Sequence, residues 1–173
     1  MRIFIILVLI FGYTTSSEKK LVITEKQISV SGETSLGGFT CNYTNEDFKD
    51  TLFINSSKNN NPIVFDIPVQ DFGCGNFLLN KDFRKTIKAS EYPHAKVTVN
   101  NLREYGIYYT CDVSVNLVGK KLAYKSLKLK YHKDQLVGKI SINFDELDLS
   151  PPSKLGGLIK VEEKLNLEIK LGF

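Results

Sequence analysis

The chain has 173 residues and a mass of 19.6 kDa, which is the size of one ordinary domain. Hydrophobic residues make up 42% and charged residues 24%, the balance of a globular protein rather than a disordered one. The one stretch apolar enough to enter a bilayer, residues 3–11, is about half the length of a spanning helix, which excludes a polytopic membrane protein. With only His94 and His132 and no tryptophan, a histidine-based metal or catalytic centre is a poor candidate.

The first residues have the layout of a secretory signal peptide. Arg2 supplies the positive charge, residues 3–11 form the apolar segment and residues 12–17 are small and polar. We therefore predict a signal peptide over residues 1–17 and a periplasmic or secreted protein, with an uncleaved anchor or a buried first strand as alternatives. The first cysteine, Cys41, is too far from the apolar segment to carry a lipid. Removal of residues 1–17 lowers the formal net charge from +4 to +3, which is only weakly basic. Because no interleaved aromatic stacking motif accompanies the lysines, we expect no nucleic-acid partner.

Most of the remaining chain alternates between apolar and polar residues with the period of a β-strand. Such segments, each with one apolar face, predict an antiparallel sheet that closes on itself to protect its edges. They cover residues 28–32, 39–43, 63–69, 95–99, 107–117, 127–131, 140–144 and 165–173. One helix is predicted over residues 81–88, capped by Asn80, with Phe83 and Ile87 on one face. No repeat or long linker divides residues 18–173, so we predict a single domain there.

Export permits disulfides, but three cysteines cannot all pair within one chain. We favour a bridge between Cys41 and Cys74, which leaves Cys111, in the most regular of the alternating segments, as a buried free thiol. The alternative is three reduced thiols, each acting as a small hydrophobic side chain.

The order of these segments resembles that of the YceI-like family of bacterial exported lipid-binding proteins, in its short form. The resemblance is carried by the helix leading into EYPHAKV at residues 91–97, by the turn VGKK at residues 118–121 and by LIKV at residues 158–161. It spans nearly all of residues 18–173 and implies a lipocalin-like, eight-stranded antiparallel β-barrel with a short covering helix. It further implies a lumen that holds a long apolar lipid of the polyisoprenoid or isoprenoid-quinone type, no catalytic mechanism and no cofactor other than that lipid.

The strand alternation also supplies candidate ligand-lining residues, because inward-facing apolar side chains can line a dry lumen. The predicted set is Tyr109, Val113, Val115, Leu127, Leu129, Ile142, Phe144, Leu167 and Ile169. The same side chains could instead simply fill the barrel, and periodicity does not distinguish the two cases.

Two clusters of charged residues could have a function or could be ordinary solvent-exposed surface. The lysines Lys120, Lys121, Lys125, Lys128 and Lys130 are predicted to make transient contact with a membrane surface. They are otherwise a solvated outer strand face that discourages edge pairing. The carboxylates Asp145, Glu146 and Asp148 lack a histidine or cysteine beside them and are interpreted as surface groups.

Three functional hypotheses follow from the sequence. The first is an exported, non-enzymatic protein that binds a long apolar lipid inside a β-barrel. The second is a barrel with a filled core that acts as a structural or interaction protein through its outer surface. The third, an enzyme, is disfavoured because no catalytic constellation is evident. The volume of the lumen separates the first two.

Overall fold

The computed structural model describes residues 19–56, 62–154 and 159–173; the predicted signal peptide at residues 1–17 lies outside these residues. The strands are β1 (Lys20–Ile23), β2 (Glu25–Thr34), β3 (Gly37–Asn45), β4 (Asp50–Phe53), β5 (Ile63–Pro68), β6 (His94–Tyr105), β7 (Tyr108–Leu117), β8 (Lys120–His132), β9 (Gln135–Asn143), β10 (Ser153–Lys154), β11 (Ile159–Lys160) and β12 (Lys164–Gly172). One α-helix, α1 (Phe77–Thr86), lies between β5 and β6.

Eight of these strands form one antiparallel sheet, in the order β3-β2-β12-β9-β8-β7-β6-β5. The sheet curls into a half-barrel with one short helix, which confirms the predicted lipocalin-like fold class. Each predicted alternating segment coincides with one of these strands, and alternate side chains point into a shared apolar core. On β12, for example, Leu165, Leu167, Ile169 and Leu171 are all buried. The short strands β1 and β4 pair with each other, as do β10 and β11.

Tight turns join the central strands. Val118 and Gly119, between β7 and β8, both have positive φ, as a two-residue type I′ hairpin turn requires. A Cβ atom on Gly119 would lie 2.9 Å from the Tyr92 ring, so this position also needs a glycine for space. Gly138 on β9 also has little space for a side chain, since a Cβ there would lie 2.6 Å from Leu129 Cδ2.

The edge strands β3 and β5 are held together without pairing along their length. Cys41 on β3 is disulfide-bonded to Cys74, just beyond β5, as the sequence favoured, and Cys111 is free and buried. Beside the disulfide, Asn42 and Gly73 exchange two backbone hydrogen bonds of 2.9 Å. We call the gap between β3 and β5 the seam. These contacts close the seam at one of its ends.

The other end of the seam is bridged by Lys26. Its Nζ donates to the Val64 carbonyl oxygen at 3.3 Å and lies 3.9 Å from the centre of the Phe48 ring. Burial lowers the pKa of this amine, and the charges of Asp50 and Asp66 only partly oppose the shift.

The helix begins four residues earlier than predicted. Asn76, not Asn80, is its N-cap, and the Asn76 side chain accepts a hydrogen bond from the Leu79 N–H at 2.9 Å. Asn80 lies within the helix and accepts from the Cys74 N–H at 2.7 Å, which ties α1 to the disulfide. Both asparagines fit the sequence preference for a cap. The exposed apolar pair at the helix start, Phe77 and Leu78, obscured the choice between them.

Candidate functional site

The centre of the barrel is filled. The void there measures about 40 Å³ and is lined only by apolar side chains. We call it the inner void. Its lining residues are Ile28, Val30, Ile67, Phe72, Phe83, Ile87, Ala95, Val97, Val115, Leu117, Ile142, Leu165 and Leu167. A space of this size, without polar partners for water, is a packing gap rather than a lumen.

A much larger cavity lies at one end of the barrel, between α1, the turn that joins β2 to β3, and residues that precede β12. It measures about 580 Å³, within the range of about 300–1,000 Å³ that is usual for small-molecule sites. We call it the mouth cavity. Its lining residues are Thr34, Leu36, Gly37, Gly38, Phe39, Asn76, Leu78, Leu79, Asp82, Phe83, Thr86, Ile87, Phe144, Pro152, Val161 and Leu165.

Three side chains separate the two spaces. Phe83 and Ile87 from α1 and Leu165 from β12 line both the mouth cavity and the inner void. All three are buried, and the Phe83 ring packs against Phe72 with a centroid distance of 5.4 Å. The mouth cavity therefore ends on an apolar floor that belongs mainly to the helix.

The polar groups around the mouth cavity are few and partly engaged. Thr34 Oγ1 donates to the Gly37 carbonyl oxygen at 2.7 Å, and Asn76 caps the helix. Asp82 is the only charged residue among the described lining residues, and Thr86 supplies a hydroxyl beside it. The described lining therefore includes no basic side chain.

Of three comparisons with known proteins, only the comparison with solved structures found a match. No family model matches the chain, and no curated protein matches it. Among solved structures, a polyisoprenoid-binding domain from Saccharophagus degradans matches with a TM-score of 0.54 and 13% identity, covering 90% of this chain and 97% of that one. BcnA from Burkholderia cenocepacia matches with a TM-score of 0.52 and 12% identity, covering 84% and 94%.

The chain has the same fold as these two proteins. At these identities the similarity establishes the fold alone, and it spans nearly the whole of both neighbours. The fold expected from the sequence resemblance is therefore confirmed.

Within this fold, the predicted lining residues divide into three groups. Val115, Ile142 and Leu167 line the inner void, and Phe144 lines the mouth cavity. The rest border neither space: Tyr109, Val113, Leu127, Leu129 and Ile169. Their role in ligand binding stays a prediction.

Tyr109 is the polar member of that last group. It is half-buried, and its hydroxyl donates to Glu104 Oε1 at 3.2 Å. Burial raises the pKa of the phenol, and the hydrogen bond to Glu104 raises it further. Glu104 in turn is paired with Lys19, so Tyr109 belongs to a polar network at the barrel end away from the mouth cavity.

Sequence reasoning missed most of the mouth cavity, because its walls come from the helix and from a turn. Leu36 stands in the turn between β2 and β3, and Leu78 and Leu79 stand in the first turn of α1. The available signal was a large apolar residue at a turn position and an apolar run at the start of an otherwise polar helix.

The lysines of β8 are all exposed, but several have partners. Lys120 forms an ion pair with Asp148, and Lys125 Nζ lies 3.4 Å from Asp112 Oδ2. Lys128 Nζ lies 4.2 Å from the centre of the Tyr108 ring. Contact of this strand with a membrane stays a prediction, on a face whose charge is partly neutralised.

The acidic cluster after β9 has a structural role. Asp145 and Glu146 lie in a short 3₁₀-helix, Asp145–Leu147, which directly follows the last residues of the predicted strand over 140–144. Glu146 Oε1 accepts from the Asn143 N–H at 2.8 Å, and Asp148 pairs with Lys120. In the described part of the chain, no three metal-ligating side chains come together. Among the same residues, no helix is both long and apolar enough to cross a bilayer.

Proposed function

We propose that the protein is an exported, non-enzymatic binding protein that holds the chain of an isoprenoid-type lipid in the mouth cavity. The observation that carries the proposal is the cavity itself, which offers about 580 Å³ between apolar walls. The polyisoprenoid-binding domain of S. degradans, which has the same fold, supports this class of ligand. The disulfide between Cys41 and Cys74 supports export, because such bonds persist in oxidising compartments.

Burial of apolar surface is the driving force that these walls provide. Each methylene removed from water contributes about 0.8 kcal/mol, so a chain of several isoprene units binds without specific contacts. The filled centre limits how deep the chain reaches. A longer chain enters the inner void only if Phe83, Ile87 or Leu165 moves, because these side chains form the floor between the two spaces.

The polar lining favours a neutral headgroup. Asp82 is the only charge among the described lining residues, and no lysine, arginine or histidine stands there to pair with a phosphate. An unpaired anion in a partly dry site carries a large desolvation cost. We therefore propose that an isoprenoid quinone or alcohol binds in preference to the corresponding phosphate.

The filled centre of the barrel favours a second candidate. An inner void of only about 40 Å³ is what a structural or interaction protein with a packed core would have. In that case the outer surface carries the function, including the exposed lysines of β8, and the mouth cavity stays empty of lipid.

Native mass spectrometry with solvent extraction separates the two candidates. The chain from Glu18 onward, purified from a bacterial host, is expected to carry a stoichiometric isoprenoid or to take one up from added isoprenoid quinone. A mass that stays free of ligand after that incubation would overturn the lipid proposal and favour the filled-core alternative.

A matched pair of variants locates the ligand. Leu79→Trp fills the mouth cavity from the helix, whereas Leu122→Trp adds the same bulk to another half-buried leucine that lines neither space. Only Leu79→Trp is expected to lose the lipid. Equal loss in both variants, with both folded by circular dichroism, would place the ligand elsewhere.

A further inference from the structure

Three large apolar side chains project into solvent around the mouth cavity. Leu36 is 76% exposed, Phe77 is 77% exposed and Leu78 is 65% exposed. Leu36 and Leu78 line the cavity itself, and Phe77 precedes Leu78 at the start of α1. Exposed apolar side chains that gather in one place mark a contact surface, whereas scattered ones carry no such meaning. We call these three residues the rim.

A basic stripe runs away from the rim along α1 and the residue after its last turn. Lys81 and Lys85 are exposed and follow Phe77 at intervals of four residues, so they share its face of the helix. Lys88, which is also exposed, lies two residues beyond the end of the helix. Over residues 77–88 the chain has four basic residues and one acid. The rim is therefore bordered by positive charge on the helix side.

We propose that the rim docks on an anionic lipid bilayer, with the opening of the mouth cavity against the membrane. Leu36, Phe77 and Leu78 enter the boundary between headgroups and acyl chains, as the apolar face of an interfacial helix does. Lys81 and Lys85 lie at the level of the headgroups, where the negative surface potential attracts them. This inference rests on the proposed function, and it gives an apolar ligand a route between bilayer and cavity that avoids water.

The opposite end of the barrel provides the natural comparison. Ile107 is 92% exposed and Tyr105 is 51% exposed, so that end also presents apolar surface. Tyr105 ends β6 and Ile107 lies in the turn before β7, while Leu117 at the other end of β7 lines the inner void. A strand of that length spans roughly 30 Å. Neither Tyr105 nor Ile107 lines the mouth cavity, and the nearby Lys128 lies over the Tyr108 ring.

Vesicle flotation tests the proposal with three variants of the chain from Glu18 onward. The vesicles contain phosphatidylglycerol and phosphatidylcholine in equal parts, or phosphatidylcholine alone. The rim variant L36S/F77S/L78S is expected to lose binding to the anionic vesicles by about a hundredfold, because three apolar side chains no longer enter the lipid. The control Y105S/I107S removes apolar groups at the far end and is expected to bind within about twofold of the unmodified chain. K81E/K85E is expected to abolish the preference for anionic vesicles.

Three results would overturn the docking proposal: no binding by the unmodified chain, no loss in the rim variant, or an equal loss in the control. Circular dichroism and thermal unfolding check that all variants fold. Failure of docking is distinct from failure of lipid binding, because uptake of isoprenoid quinone delivered in detergent is measured on the same samples. A rim variant that takes up quinone from detergent but not from vesicles supports both proposals. Rim-dependent flotation without any quinone uptake supports docking and refutes the lipid ligand.

Discussion

Replacement of Cys41 and Cys74 together by alanine should destabilise the protein markedly. The disulfide joins residues 33 positions apart in the sequence, and both cysteines are buried. In the chain-entropy model, a closed loop of this length lowers the entropy of the unfolded state enough to contribute about 4 kcal/mol to the free energy of unfolding. The effect should reach the mouth cavity, because the Cys74 N–H is bonded to Asn80 of α1.

Urea unfolding followed by circular dichroism measures this effect. With a slope of about 2 kcal/mol per molar urea, the midpoint of the double variant should fall by about 2 M. Reduction of the unmodified chain should reproduce the same midpoint, whereas the reductant should leave the double variant unchanged. A loss below about 1 kcal/mol in both cases would refute the entropy argument. It would mean that the backbone bonds between Asn42 and Gly73 hold the seam by themselves.

Three further predictions concern the barrel wall. Gly138→Ala, whose Cβ would approach Leu129 Cδ2 to 2.6 Å, should lower the free energy of unfolding by about 1–3 kcal/mol. In Gly73→Ala no atom lies within 4 Å of the added Cβ, so this variant should lower the free energy of unfolding by a smaller amount in the same urea titration. Burial raises the pKa of the Cys111 thiol to about 12, so a thiol reagent at pH 8 should label it only after denaturant is added. Since this folded pKa exceeds the ordinary value of 9.0, Cys111 should lower stability as the pH rises from about 9 towards 12, and Cys111→Ala should make that decline shallower. Asp112→Ala leaves the Ser126 N–H without its acceptor at 3.0 Å and should cost about 1–3 kcal/mol in thermal or urea unfolding.

The barrel itself was predictable because strand alternation is a local property. Val113 and Val115 face the core since every second residue of a strand points the same way. The four-residue strands β1 and β4 were missed, because segments that short contain too few residues to show a period. The helix was placed, but its start was wrong, since two asparagines compete for the cap and the exposed Phe77 resembles a core residue in sequence.

The candidate site was far less predictable, because a cavity is a property of packing between elements. Alternation identifies which side chains face inward, and Leu129 and Ile142 do so, but it does not say where they leave space. The open volume lies where α1 fails to fill the end of the barrel, and that depends on how Phe83 packs against Phe72. The positions of Phe72 and Phe83 in the sequence do not determine the distance between their rings.

The two ends of the described chain lie at the same end of the barrel, opposite the mouth cavity. The Lys19 carbonyl oxygen accepts from the Ile54 N–H, and the Lys19 side chain pairs with Glu104 near the far turn. The Phe173 N–H donates to the Asp134 carbonyl oxygen in the turn between β8 and β9. From Leu165, on the cavity floor, β12 runs roughly 25 Å to reach that point. A sensor surface or a fluorescent fusion attached through Phe173 would therefore present every molecule in one orientation, with the cavity facing the solution.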